Sequence, residues 1–218
     1  MYKTFTNFKL TSFAAIAAAT LLFAGTALAG PPAGKVKPGK PGAANMLDIA
    51  LTVNGMAIEN EDENVGEFAY LLGAVGCLTT EQQNAVVGIL TGSDKYTLFA
   101  PTNEAFRNLQ RTLTGDPDVV TSPGLSCAVD TLLGPDTLFT VLQYHLTDGR
   151  RFSNSLFNKT NSKEIEMLAA GYITTLKNLT IMDGAYQVIN LPSFINVNAS
   201  NGVIHIIDTV MLPFEPVL

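Results

Sequence analysis

The feature that most constrains this chain is a change of apolar period near Gly171. Before it, apolar residues recur at helical spacing. Phe68, Leu71, Leu72 and Val75 fall at i, i+3, i+4 and i+7, and Leu138, Val141, Leu142 and His145 repeat that stripe. After it, residues 172–176, 179–182, 186–189, 194–197 and 203–212 read as strands. Helices first and strands last predict an α+β fold rather than alternating α/β. The run at 203–212, VIHIIDTVML, is apolar on both faces and predicts a centrally placed strand.

Local signals fill in the remaining elements. Thr80-Glu81-Gln82-Gln83 has the form of a capping box and predicts a helix starting at Thr80. Val86, Val87 and Leu90 would form its buried face, and Gly92 would end it. Residues 96–100 predict a short strand closed by Pro101. Thr102 or Asn103 then caps a helix that turns Phe106 and Leu109 inward. Residues 114–126 predict a loop, and Gly134-Pro135-Asp136 opens a helix with Pro in its first turn. Asp183-Gly184 predicts a two-residue hairpin. Residues 198–202 predict a turn, with Asn201-Gly202 supplying a left-handed conformation.

The front of the chain reads as an export signal. Lys3 and Lys9 precede an apolar run over about residues 10–28, which ends in Ala27-Leu28-Ala29. This predicts a signal peptide at 1–29, cleaved before Gly30, rather than a retained membrane anchor. Gly25 and the small-x-small exit argue against an anchor, and no later segment is long and apolar enough to span a bilayer. Residues 30–45, rich in Gly, Pro and Lys, predict a flexible leader. One domain follows at 46–213, with a C-terminal tail at 214–218.

The 218-residue chain carries a net charge of −6, and loss of Lys3 and Lys9 makes the mature form more acidic. This balance disfavours nucleic acid and anionic lipid as partners. Cys77 and Cys127 are the two cysteines. Export and an even count favour a disulfide between them over a pair of buried free thiols. Two cysteines without a histidine cluster do not make a zinc site.

Three stretches together resemble the fasciclin family. They are Thr97-Leu98-Phe99-Ala100-Pro101-Thr102-Asn103-Glu104-Ala105-Phe106, then Val141-Leu142-Gln143-Tyr144-His145, then Asn201-Gly202-Val203-Ile204-His205-Ile206-Ile207-Asp208 with Val210-Met211-Leu212-Pro213. The resemblance implies a twisted β-wedge or small sandwich flanked by a bundle of short helices. It implies a secreted or periplasmic protein that mediates adhesion through a cell-surface or matrix protein or glycan. Some fasciclin-domain proteins of algae hold carotenoids. The alternative expectation is therefore a carrier of a lipophilic small molecule, in an apolar groove beside the Tyr-His helix. The segments 54–66 and 113–133 look longer than in minimal members, and the first is acidic (Glu59, Glu61, Asp62, Glu63).

The resemblance singles out Tyr144 and His145 as binding residues, with Tyr144 expected to be exposed. The competing reading, favoured because a shared fold does not fix a shared function, is that Tyr144 packs and His145 hydrogen-bonds, which props up the fold. His145 and His205, the only histidines, could with Asp148 and Asp208 hold a metal or serve as a base only if the fold gathers all four. The apolar setting of each histidine favours a structural role, and no metal or other cofactor is expected. No nucleophile elbow, phosphate loop, HExxH or CxxC occurs, so no catalytic residue is assigned. Asn158, Asn178 and Asn198 begin glycosylation sequons, which read as chance matches behind a signal peptide of bacterial form.

Overall fold

The domain is built as three layers: helices, a first sheet, and a second sheet. The computed structural model describes residues 44–55, 68–157, 161–169, 171–191 and 195–215. The signal peptide, residues 30–43 of the leader, the acidic stretch at 59–63, Asn158 and Phe194 lie outside the described residues. Ala44 and Asn45, assigned to the leader from sequence, already bond to the domain. The Ala44 carbonyl accepts from Ser200 N at 2.8 Å. Asn45 Oδ1 accepts from Asp48 N at 2.8 Å in the first turn of α1 (Met46–Gly55).

The helices follow in order. They are α2 (Ala69–Gly76), α3 (Thr80–Thr91), α4 (Asn103–Thr114), α5 (Ala128–Leu133), α6 (Thr137–Tyr144) and α7 (Ser153–Leu156), with a 3₁₀ turn at Pro123–Cys127. The sequence places α2, α3, α4 and α6 and misses α1, α5, α7 and the 3₁₀ turn. The capping box exists one residue earlier than expected. Thr79 is the cap, its hydroxyl accepting from Gln82 N, while Gln82 reaches back to Thr79 N. Val86 and Leu90 are buried, whereas Val87 points out to solvent. Thr102, not Asn103, caps α4. Asn103 instead turns inward and accepts the otherwise unpaired Tyr70 N–H at the start of α2. Pro135 precedes α6 rather than entering its first turn. The cap is Asp136, at a left-handed φ of 60°.

The first sheet runs β2 (Leu146–Asp148), β1 (Tyr96–Pro101), β8 (Gly202–Ile207), β7 (Val197–Ala199). β1 and β8 are parallel, and the outer pairs are antiparallel. Alternation splits the central strands between two cores. Leu98, Ala100, Ile204 and Ile206 face the helices, while Phe99 and Ile207 face the second sheet. All six residues of β8 are buried, as its two-faced apolar sequence requires. The strand stops at Ile207, well short of Leu212, and Asp208 turns its carboxylate to Asn190.

The second sheet is antiparallel: β3 (Lys163–Glu166), β4 (Tyr172–Thr175), β5 (Thr180–Met182), β6 (Val188–Asn190). Ile165, Ile173, Ile181 and Ile189 form its inner face, each essentially fully buried. Strand β3 was invisible in the sequence because Ile165 is its single inward apolar residue. The expected two-residue hairpin at Asp183-Gly184 is a longer loop, closed by Asp183 N donating to Gln187 O at 3.2 Å. Cys77 and Cys127 form the disulfide, joining the end of α2 to the 3₁₀ turn.

Gly202 is required by close approach, not by a left-handed φ. A Cβ there would lie 2.3 Å from the Tyr96 carbonyl oxygen and 2.8 Å from Met46 Sδ. Neither Asn201 nor Gly202 has positive φ; the left-handed residue nearby is Asn196. Asn201 is 2 % exposed and serves as a junction. It accepts from Met46 N at 2.9 Å and donates to Leu90 O at 2.8 Å, which ties α1 and α3 to the end of the turn.

Candidate functional site: the Tyr144–His145 brace and the sheet it supports

Helix α6 brings Leu138, Val141 and Leu142 onto the core and delivers Tyr144 and His145 at its end. The helix stops there because the chain turns directly into β2. Tyr144 is 0 % exposed, so of the two readings it packs inside rather than projecting into solvent. The physical reason is its position between the layers. Its ring packs in the core between the two sheets, with Phe99, Ile173 and Met211. Its hydroxyl donates to Tyr172 O at 2.7 Å and accepts from Gly184 N at 2.9 Å. A buried hydroxyl needs such partners, and these two belong to β4 and to the loop before β6. Burial pushes the phenol up to about 12.

His145 is 1 % exposed and acts as a clamp. Nδ1 lies 2.7 Å from Val141 O and therefore carries the proton. Nε2 is then the acceptor, and takes Met211 N–H at 2.9 Å. Protonating Nε2 would set two donors against each other in a dry site. Burial accordingly lowers the ring to about 4, so it is neutral at ordinary pH.

His205 has the opposite tautomer. Nε2 donates to Arg151 O at 2.8 Å and Nδ1 accepts from Asn196 N at 3.3 Å. The ring stacks on Phe99 of the adjacent strand, centroids 5.5 Å apart. Burial holds it near 4 as well. All four ring nitrogens of the two histidines are thus committed to the backbone. Asp148 is exposed at the end of β2, and Asp208 is bonded to Asn190. Among the described residues, no three metal-ligating side chains lie together.

The residue that sequence reading missed is Asp183. Beside Gly184 it reads as half of a turn, yet it is 4 % exposed. Oδ1 accepts from Ala185 N at 3.0 Å and Gln187 N at 2.8 Å. Oδ2 accepts from Gln187 Nε2 at 2.7 Å and Leu212 N at 2.8 Å. Burial pushes this carboxyl up, against the pull of the donors around it. A signal did exist: Asp183 has the same strand parity as the inward Ile181.

Tyr144, His145 and Asp183 therefore form one brace. His145 holds Met211, Asp183 holds Leu212, and Tyr144 holds Gly184. Pro213 packs so tightly under Gly184 that a Cβ there would sit 2.3 Å from its carbonyl oxygen. An apolar cleft among the described residues lies elsewhere, lined by Leu113, Leu125, Ala128, Val129 and Leu132 beside Gln110. Its volume is about 10 Å³. Small-molecule sites occupy roughly 300–1,000 Å³.

The fasciclin domain family matches residues 77–213. Protein sll1483 of Synechocystis sp. is 32% identical over 171 residues, covering 76% of each chain. Among solved structures, the FAS1 domain pair from the insect cell adhesion molecule fasciclin I aligns at a TM-score of 0.45 and 16% identity, over 66% of this chain. This chain spans 45% of that domain pair. The family match runs from the disulfide at Cys77 through all three motifs to Pro213, and with the relative at 32% identity it shows that the chain belongs to the fasciclin domain family.

Proposed function

We propose that the protein is an exported, non-enzymatic interaction module that contributes to adhesion or cell-surface contact. The observation that carries this reading is the commitment of the motif residues to the scaffold. Tyr144, His145, His205 and Asp183 place their polar atoms against backbone partners, which is how a rigid presenting platform is built. The Cys77–Cys127 disulfide supports a compartment outside the cytoplasm. The resemblance of the chain to adhesion-type domains supports the kind of partner, a surface or matrix protein or a glycan. Tyr144 and His145 would contribute by holding the platform in shape.

Intact mass spectrometry of protein from its own host tests the export half. The expected chain begins at Gly30 and gains two hydrogens on reduction. An uncleaved, reduced chain would overturn it. Attachment of protein-coated beads to host cells tests the other half. Folded protein that attaches to no cell, matrix or glycan removes its support, and a ligand retained only in the native mass would turn the reading toward a carrier.

A further inference from the structure

Tyr186 is the least expected residue on the surface. Its φ is 59°, a left-handed conformation costly for a bulky side chain, and its ring is 72% exposed. An exposed ring gains no packing in return. The loop that carries it is fixed from both ends by the Asp183 carboxylate, and from below by Tyr144. Strain held in place by this many bonds is a feature of sites that present a side chain to a partner.

Tyr186 has neighbours of the same kind. Tyr172 is 56% exposed, and Tyr144 Oη bridges its carbonyl to Gly184 N, which brings the two tyrosine-bearing segments side by side. Val188 of the adjoining strand, Leu168 beyond β3 and Phe214 after Pro213 are also exposed. Among the described residues, the charged side chains at the outward-facing positions here are acidic. Glu166 pairs with Tyr172, Glu164 with Thr174, and Glu215 follows Phe214, all of them exposed. Lys163, next to Glu164 but of opposite strand parity, donates to Ser155 O, and Lys177 lies beyond Thr175 at the other end.

We propose that the end of the second sheet that carries Tyr172 and Tyr186, flanked by Glu164, Glu166 and Glu215, docks a Lys- or Arg-bearing segment of a partner protein. Aromatic faces attract cations, and flanking carboxylates strengthen and orient that contact. A second copy of this chain is a poor occupant, because the net charge of −6 and the same acidic rim would meet themselves. The inference rests on the interaction-module reading and gives that module its surface and the chemistry of its partner.

The test uses the full mature chain and a short fluorescent peptide of alternating Lys and Pro, followed by anisotropy at low and high salt. Tyr186→Gly and Tyr172→Thr are expected to weaken binding about tenfold each, with unchanged or raised melting temperature for Tyr186→Gly. Glu166→Gln should weaken binding several-fold, while Glu81→Gln on α3, an equal change in charge, should leave it within about twofold. Equal losses from Glu166→Gln and Glu81→Gln, with none from Tyr186→Gly, would reduce the effect to net charge and overturn the proposal. Bead attachment to cells separates the two levels. If Tyr186→Gly abolishes attachment but wild type does not bind the peptide, the surface takes another class such as a glycan. The cationic assignment then fails while the interaction module stands. Attachment by neither variant nor wild type removes the module itself.

Discussion

The two sheets are built from similar residues and used differently. In the first sheet, β1 and β8 are buried on both faces, between the helices and the second sheet. In the second sheet only one face is buried, and strands such as β6 alternate exposed and buried residues. Both buried histidines bond to the first sheet or to its flanking segments, whereas the exposed tyrosines belong to the second. A sheet covered on both sides has no surface to offer, so it sets geometry. A sheet covered on one side can carry a contact surface, provided something fixes its ends, and the Tyr144–His145–Asp183 brace does that.

Acid should break this arrangement most severely. Each histidine is neutral near pH 7, with a folded value of about 4 against 6.5 when unfolded. Below pH 6.5 the unfolded chain takes up protons first, so stability present above that pH is lost as pH falls toward 4. Each ring should contribute a loss of about 3 kcal/mol. Chemical denaturation at a series of pH values should show the decline steepening below 6.5. A flat profile down to pH 5 would mean that the rings are hydrated in solution.

Reduction of the Cys77–Cys127 bridge comes next. It closes a separation of 50 residues, worth about 4 kcal/mol in the chain-entropy model. A lowered denaturation midpoint with dithiothreitol is expected, and an unchanged midpoint would show that the helical layer does not need the link. Gly202→Ala should cost about 3 kcal/mol or more, since the Cβ meets backbone on β1 that cannot yield without opening the parallel pair. The same assay reads it, and near-wild-type stability would show that β1 and β8 can shift apart.

Smaller effects sharpen the contrast. Tyr144→Phe keeps the ring in the core but strands Gly184 N–H, at a cost of about 1–3 kcal/mol. Amide exchange should rise in the 183–187 loop more than in β1 or β8. A uniform rise would show that the brace supports the whole domain rather than one end of the second sheet. Tyr186→Gly has the smallest effect and the opposite sign. Relief of the left-handed φ should outweigh the added unfolded-state freedom, for a gain of up to about 1 kcal/mol. A loss would mean that the exposed ring packs in solution.

Much of the scaffold was legible because its determinants are local. The helical stripes, Pro101 at the end of β1 and Gly92 at the end of α3 all act within a few residues of themselves. The candidate site was less legible. Tyr144 reads as either an exposed or a packed tyrosine until β4 is laid over it. Asp183 next to Gly reads as a turn, although its parity with Ile181 pointed inward. Asn201-Gly202 reads as a left-handed turn, whereas the glycine answers to Tyr96 and Met46, distant in the chain.

The sequence by itself determined the α+β class, the burial of both faces of β8 and the motifs that mark the family. Periodicity, capping and turn chemistry are short-range, so they can be read from neighbours. Only the tertiary structure decided that Tyr144 is inside, that His145 and His205 are neutral clamps of opposite tautomer, and that Asp183 gathers four donors. Those outcomes depend on partners brought together across tens of residues, where desolvation and hydrogen-bond pairing are settled by the packing of layers.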